Sequence, residues 1–531
     1  MTGRVYRDYQ RDRVGWFFGL TGLQLGLLAA GALPTCWAAR TGWWAGAFAG
    51  LLGWVGLLAL VVVPVRGRSA VGWTVASATF LALRLAGATT WRSGLATGLA
   101  GPAGAPDLPP PLDQLLIHQV AARESSGMVG VVQDRAARSW ALAARITHGD
   151  LGWLTGAERD VRGDGLAALL DTACRTELVS ELQLLIRACP DDGAERERWL
   201  HDGREPSAPT PGVFPADAAE LARTVHDGLR RHLTPAARYS EAFLVLVVPD
   251  ARLRKQARRG RSVRGAKNRQ DDQLSLLAAA AAEVGQQASA RCGIELVDWL
   301  DASGLAQACR TGYHPDSHAV LVDARPRTGE EQTEVGVPWA AAGPAHTNTA
   351  PLSYAHDAWE SASVSVLLPA RGATLGALAP VLSGGTVGER RCLLVAYPVI
   401  TATVADRVTA SREWAADLGD GLRTRAGVRP RAKTRADQAT ARGVDAKLVA
   451  GAALVRPYAI ATTTVPATPL TSVSDPSRTD QVRIGDAVRS LEASVRRAGF
   501  AAQRLDLAHD TAFATGCIPL GHTLERAGGA R

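Results

Sequence analysis

Apolar residues crowd into the first hundred positions, and their pattern there differs from the rest of the chain. Val14 to Ala39 carries no charge, and after Arg40 a second uncharged stretch runs from Thr41 to Val65. Each exceeds the roughly 20 apolar residues with which an α-helix crosses a ~30 Å hydrocarbon core. The pattern therefore predicts a transmembrane hairpin, with helices over about 14–39 and 41–65. A signal peptide would show a shorter apolar run, a cleavage site and no second span directly behind it. Core helices of soluble proteins seldom run so far without a charge. Arg4, Arg7, Arg11 and Arg13 precede the first span, Arg66 and Arg68 follow the second, and the turn offers only Arg40. Positive charge stays on the cytoplasmic side, so both ends of the hairpin are expected there, in a multi-pass plasma-membrane protein. Trp16, Trp37, Trp43 and Trp44 fall near the span ends, where amphipathic rings prefer the headgroup level. Gly22 with Gly26, and Gly46 with Gly50, have the spacing that lets helices approach closely.

A third apolar stretch, over about 71–90, carries Arg84 and is flanked by Trp73 and Trp91. It reads as an interfacial helix with Arg84 reaching up to the headgroups. The alternative, a third span, would place the C-terminal region outside the cell. Residues 94–112 then form a Gly/Ala/Pro spacer between the membrane domain, 1–93, and the soluble part.

Beyond the spacer, helical and strand periodicities alternate. Met128–Gln133 and Ser139–Ile146 read as a hairpin, and Asp164–Cys189 as one long amphipathic helix with leucines at helical spacing. A helix is expected over Glu220–His232, followed by a buried strand at Phe243–Val248. Helix Asp272–Cys292, strand Ile294–Trp299 and helix Ser303–Arg310 come next. Residues 322–360 are polar and irregular. Strands return at Ser363–Leu368 and Arg391–Val399, then a helical stretch at Ala402–Asp417 and an Arg-rich passage at Arg423–Arg442. Strand Ala452–Val465, helix Gln481–Ala498 and a last strand near Ala501–Leu507 end the reading. The fold class is thus a transmembrane hairpin followed by an α+β (mixed α/β) cytoplasmic region. Two subdomains are expected, 113–320 and 361–531, joined by an irregular linker at 321–360. No internal repeat stands out.

Composition refines this picture in two respects. Of 59 basic residues only Lys255, Lys267, Lys433 and Lys447 are lysines, a bias typical of a GC-rich genome, so the arginine excess is not by itself a phosphate-binding signal. The net charge of +8 admits an anionic partner without naming one. The 7 cysteines are scattered singly with no C-x-x-C pair, which suits a reducing compartment and inert thiols.

Motifs for catalysis are missing. There is no G-x-x-x-x-G-K-[ST], H-E-x-x-H or G-x-S-x-G, and the Gly-rich stretch Ser383–Arg391 lacks the lysine and hydroxyl of a phosphate loop. No catalytic, cofactor or metal residues are assigned, and the chain is read as a non-enzyme. The sharpest local feature is Ala251–Arg269, which holds Arg252, Arg254, Lys255, Arg258, Arg259, Arg261, Arg264, Lys267 and Arg269 with no acid among them. It reads as a solvated loop, or as an electrostatic dock for anionic lipid or protein. DNA phosphates are a third partner for it, although no aromatic residue offers a base-stacking platform.

The segment Arg11–Leu25, RDRVGWFFGLTGLQL, resembles the PrgI family of small membrane proteins in Gram-positive conjugation machines, with FFGLT-x-x-Q-L at Phe17–Leu25 as its specific part. The remainder resembles an actinobacterial family of membrane proteins found in conjugative elements. GVVQD from Gly130, LAQACRTGYHPD from Leu305, GERR from Gly388 and AGAALVRPYAIATTTVPAT from Ala450 carry that likeness. The resemblance implies a structural subunit of a conjugative, type IV-like complex that docks a separate secretion ATPase and other translocation subunits, with nucleic acid touched only indirectly. A competing likeness is to the EccE component of type VII secretion, and a membrane-bound enzyme is the third reading.

Overall fold

The computed structural model describes residues 4–6, 22–62, 70–99, 101–102, 104–122, 127–148, 154–202, 221, 224–225, 228, 238–259, 269–324, 336–369, 372–385, 388–400, 453–467 and 484–524. The expected helix at 402–417 and the Arg-rich passage at 423–442 lie outside these residues, as does most of 220–232.

Helices α1 (Gly22–Arg40) and α2 (Trp44–Val62) are joined at Thr41–Trp43, where Gly42 takes the positive φ that closes the turn. They pack against each other because glycines make room. Gly31 faces Leu57 and Trp54, Gly50 faces Thr35, and the Trp54 indole N–H donates to the Leu28 carbonyl at 2.9 Å. Among the described residues α2 is the one helix long and apolar enough, by length and composition, to cross a membrane. Part of the first expected span lies outside them. Helix α3 (Ala70–Leu85) covers the third apolar stretch and carries Arg84 in its last turn.

The rest of the chain is mixed α/β. Its first part runs β1 (Thr90–Arg92), α4 (Gly94–Thr97), β2 (Leu115–Ala121), β3 (Met128–Asp134), β4 (Ser139–His148), α5 (Gly156–Arg175) and β5 (Glu181–Pro190). Next come α6 (Ala194–Asp202), β6 (Arg238–Pro249), α7 (Asp250–Arg259), α8 (Arg269–Cys292), β7 (Ile294–Trp299), α9 (Ala302–Tyr313) and α10 (Ser317–Asp323). The last part runs β8 (His346–Thr349), β9 (Tyr354–His356), β10 (Trp359–Leu367), α11 (Ala379–Leu382), β11 (Arg390–Ile400) and β12 (Leu454–Val455). It ends with β13 (Tyr458–Pro466), α12 (Ile484–Arg497), β14 (Ala501–Arg504) and α13 (His509–Cys517). All the strands join one 14-stranded sheet in the order β1-β8-β9-β10-β13-β11-β5-β6-β4-β3-β2, with β12, β14 and β7 attached to β11, β10 and β4. The ladders are antiparallel.

Alternation places the two faces of each strand in different cores. Leu142, Leu182, Leu244 and Leu246 face α5 and α8, while Ala143, Leu185, Phe243 and Val245 face α9 and α13. A third cluster under α12 and α11 includes Val364, Leu393, Ala461 and Leu491. The result is three layers, with helices on both faces of the sheet.

The sheet contains a duplication that the sequence reading missed. Outward from the central pair β5–β11, the order is β6, β4, β3 on one side and β13, β10, β9 on the other. In each half a hairpin leads through a helix to the central strand and then to the strand beside it. A further helix, a short strand on the far half of β4 or β10, and a closing helix follow. The registers agree residue for residue. Leu185 pairs with Leu394 across the centre, Leu185 with Phe243 as Leu394 with Ile460, and Ala143 with Val245 as Ser363 with Thr462. The Leu300 N–H donates to the Ala143 carbonyl, as the Leu505 N–H does to that of Ser363. A pseudo-twofold axis therefore passes through the Leu185–Leu394 pair. Its echoes in sequence are short: Val248-Pro249 and Val465-Pro466, Leu300-Asp301 and Leu505-Asp506, Thr311-Gly312 and Thr515-Gly516.

Several expectations need correction. The expected helix Asp164–Cys189 is instead α5 followed by strand β5, because Leu178, Leu182 and Leu185 recur at helical spacing across the turn between them. The stretch 94–112 is not a free spacer. Leu108 and Leu112 are buried in the core, and Asp107 accepts from the Gly94 N–H at 2.6 Å. The described part of 321–360 supplies β8, β9 and the buried Trp339, and the sheet runs unbroken between the two expected subdomains.

Close approach of α5 to the end of α8 depends on Gly165, where an added Cβ would stand 2.1 Å from the Arg291 carbonyl oxygen. Gly165→Ala should lower stability by about 1 kcal/mol or more, since overpacking outweighs the gain in helix propensity. Thermal unfolding of the purified protein measures it.

Candidate functional site: a basic helix over an apolar groove, and a sealed polar seam

The basic run divides in the structure. Its first half is helix α7, not a loop, following β6 directly; Arg261, Arg264 and Lys267 lie outside the described residues, and Arg269 opens α8. Leu253 is wholly buried and pins α7 to the core. Asp250 accepts from the Trp140 indole at 3.3 Å and pairs with Arg254 one turn on at 2.8 Å. Arg252 is half-buried, and its guanidinium donates to the Val179 carbonyl at 2.8 Å. Burial lowers its pKa, with Cys174 and Glu177 opposing the shift. Arg254, Lys255, Arg258 and Arg259 are exposed, and the last two sit where a helix C-terminus favours positive charge. Beside α7 a cavity of about 100 Å³ opens between α5 and α8, lined by Leu169, Ala173, Val179, Leu276, Ala280 and Val284, with Gln256 of α7 on its wall.

Of the four segments quoted for the resemblance, the one from Gly130 lies on β3 near the sheet edge, and described residues of the other three meet near the sheet centre. Gly130 packs on Leu305 and the Asp301 backbone. Arg390, fully buried, donates to the Thr311 carbonyl at 2.9 Å and to the Thr464 hydroxyl at 3.2 Å. Arg187, equally buried, donates to the carbonyls of Cys517 (2.6 Å) and Ala308 (2.8 Å), and lies 3.5 Å from Glu241. On the opposite face Glu389 accepts from Arg391, from the Thr463 hydroxyl and from the Gly385 N–H. Burial alone would raise the Glu389 pKa, but these partners outweigh it and hold the carboxyl below its usual range. Within the Gly-rich stretch 383–391, the Gly385 N–H is therefore already given to a carboxylate of the chain.

One arrangement looks chemical. His356 Nδ1 donates to the Tyr313 carbonyl (2.7 Å), which leaves Nε2 to accept from the Ser361 hydroxyl (2.8 Å). Both residues have no solvent exposure, and burial together with the Arg390 charge depresses the His356 pKa to about 3. Through these two hydrogen bonds His356 ties the end of α9 to β9 and β10. Sequence reading missed this pair because serine and histidine five residues apart carry no motif. Burial likewise pushes the Cys189 and Cys309 thiols up to about 12, away from reactive thiolate.

Two outcomes are expected. Arg187→Met removes the donors of several buried carbonyls and should cost about 3 kcal/mol or more. Arg187→Lys should not restore it, lacking the planar fork; chemical denaturation of both variants decides this. The second concerns His318, which stacks on Tyr239 and meets Asp192 at 2.8 Å. Burial lowers its pKa, but the Asp192 hydrogen bond and charge outweigh that and the net shift is upward. Its contribution to holding α10 near α6 is complete below the unfolded value of about 6.5 and fades as pH rises through the folded one. Hydrogen exchange of α6 and α10 should speed up between pH 6 and 8 beyond the intrinsic change, and His318→Asn should abolish that excess.

No protein-family model matches the chain, and no curated protein matches it.

Proposed function

We propose that the chain is a membrane-anchored structural subunit of a conjugative, type IV-like DNA-transfer complex, in which the folded body docks a separate ATPase. One observation carries the anchor in this reading: the residues before and after the apolar helices are built into the same body. Ahead of α1, Tyr6 exchanges backbone hydrogen bonds with Ala373 (2.9 and 3.1 Å), and Arg4 pairs with Asp164 of α5 at 3.0 Å. Behind α3, β1 pairs with β8. A segment that leaves and re-enters one body crosses a bilayer an even number of times. That favours α1 and α2 as a transmembrane hairpin and α3 as an interfacial helix. Trp37, Trp43 and Trp44, all largely exposed, flank the turn as headgroup anchors would.

The secretion part of the reading rests on the PrgI-like FFGLT-x-x-Q-L core and on the missing Walker A loop, which fits an accessory subunit better than a motor.

Two measurements test the proposal. In a background with the native cysteines replaced, a cysteine at Thr41 should react with a membrane-impermeant maleimide in intact cells, and one at Glu195 only after permeabilisation; labelling of both in intact cells would put the turn and the body on the same side and overturn the hairpin. A C-terminally tagged chain, solubilised in detergent, should bring down a Walker-type conjugation ATPase. Recovery of type VII components would replace this reading with the EccE-like one, and an empty pull-down would reopen the enzyme reading.

A further inference from the structure

The basic helix α7 and the groove beside it form one surface with two chemistries. The groove wall is aliphatic, and its volume admits the end of an alkyl chain. Its polar members, Thr172, Thr176, Gln256, Glu283 and Gln287, are outnumbered by aliphatic ones. Gln287 lines it with an amide oxygen sealed from solvent and without a hydrogen-bond partner, and Glu283 lines it too. At the Val179 side stands Arg252, held by a carbonyl in place of a carboxylate. In a helix, Gln256 shares its face with residues four before and three after it, so Arg252 and Arg259 flank the residue that reaches the groove. Lys255, Arg258 and Arg259 are exposed and make no ion pair among the described residues, whereas Arg254 is paired with Asp250. The acids nearby are Glu177, which acts on Arg252, together with Glu283 and the Asp271–Asp272 pair opening α8.

We infer that this surface binds an anionic phospholipid, with acyl carbons in the groove between α5 and α8 and the phosphate at Arg252 and the basic face of α7. Charge complementarity selects an anion, and the aliphatic wall selects an amphiphile over a free phosphate. The absence of aromatic residues from α7 removes the stacking that single-stranded nucleic acid would use. The inference rests on the membrane reading above, since a bilayer supplies the ligand. Bound there, a lipid would hold α7 at the membrane surface, giving the body a contact with the bilayer besides its apolar helices.

The test uses the full chain in nanodiscs containing phosphatidylglycerol or phosphatidylcholine that carries a photoactivatable group at the acyl end, with labelled peptides identified by mass spectrometry. Phosphatidylglycerol should label the peptides around Leu169–Val179 and Leu276–Gln287, and phosphatidylcholine should label them much less. Arg252→Gln should reduce that labelling about tenfold, the worth of one charge-assisted contact. Ala280→Trp, which fills the groove, should abolish it, and Arg258→Gln with Arg259→Gln, at exposed positions away from the core, should also reduce it. Labelling of α2 reports the anchor independently. Equal labelling of the groove by both lipids, or labelling of α2 alone, would overturn the site while leaving the anchor intact. Groove labelling without α2 labelling would keep the site and remove the anchor.

Discussion

Two guanidinium groups buried at the middle of the sheet tie its halves together. Arg187 belongs to β5 in the first half but donates to Cys517, the last residue of the second half's closing helix, as well as to Ala308 of its own. Arg390 belongs to β11 in the second half and donates to Thr311 of the first half's closing helix. Carbonyls at helix C-termini lack partners within the helix and carry the negative end of its dipole. Each half thus neutralises the helix end of the other. Separating the halves would break the β5–β11 ladder and take the Cys517 carbonyl from Arg187 and the Thr311 carbonyl from Arg390, so the duplicated units fold as one body although each has its own helices.

Much of that body was legible in the sequence where one pattern dominates. The hairpin β3–β4, the strand β6, helix α8 and helix α12 all emerged from apolar periodicity, within a few residues of their ends. Glu181–Pro190 failed because the helical spacing of Leu178, Leu182 and Leu185 masked its alternation, and because its polar Glu181, Gln183 and Arg187 are buried. Helix α7 was overlooked for the opposite reason: one buried leucine among basic residues gives little periodicity to read. The site residues were legible as a charge run, but not the split between Arg252, committed to the Val179 carbonyl, and the exposed Lys255, Arg258 and Arg259.

The duplication was hidden because the two halves solved the same packing problem with different side chains. Under the closing helices, the first half presents Ala143 and Val245 where the second presents Ser363 and Thr462. The hydroxyls cost nothing there because they bond to each other, Ser363 to Thr462 and Ser361 to Thr464, each at 2.8 Å. Paired in this way, polar residues stand in for apolar ones inside a core. A comparison of residue types then loses the relation, while the ladder registers, which depend only on the backbone, retain it.

The same backbone logic bears on how the apolar helices are mounted. A flexible spacer would let the body drift relative to α1–α3, yet only Ala86–Thr89 separates α3 from β1, and Thr89 itself accepts from the Thr349 N–H at 2.8 Å. On the other flank Tyr6 reaches between Ala373 and α5, where Gly163 leaves room for its ring. Ala373 belongs to the second half and α5 to the first, so this arm spans the two units that Arg187 and Arg390 bind together. On the β1 flank, movement of α3 relative to the sheet would pull on the β1–β8 pair through only Ala86–Thr89. Joined so closely, α3 has little freedom to tilt against the sheet edge.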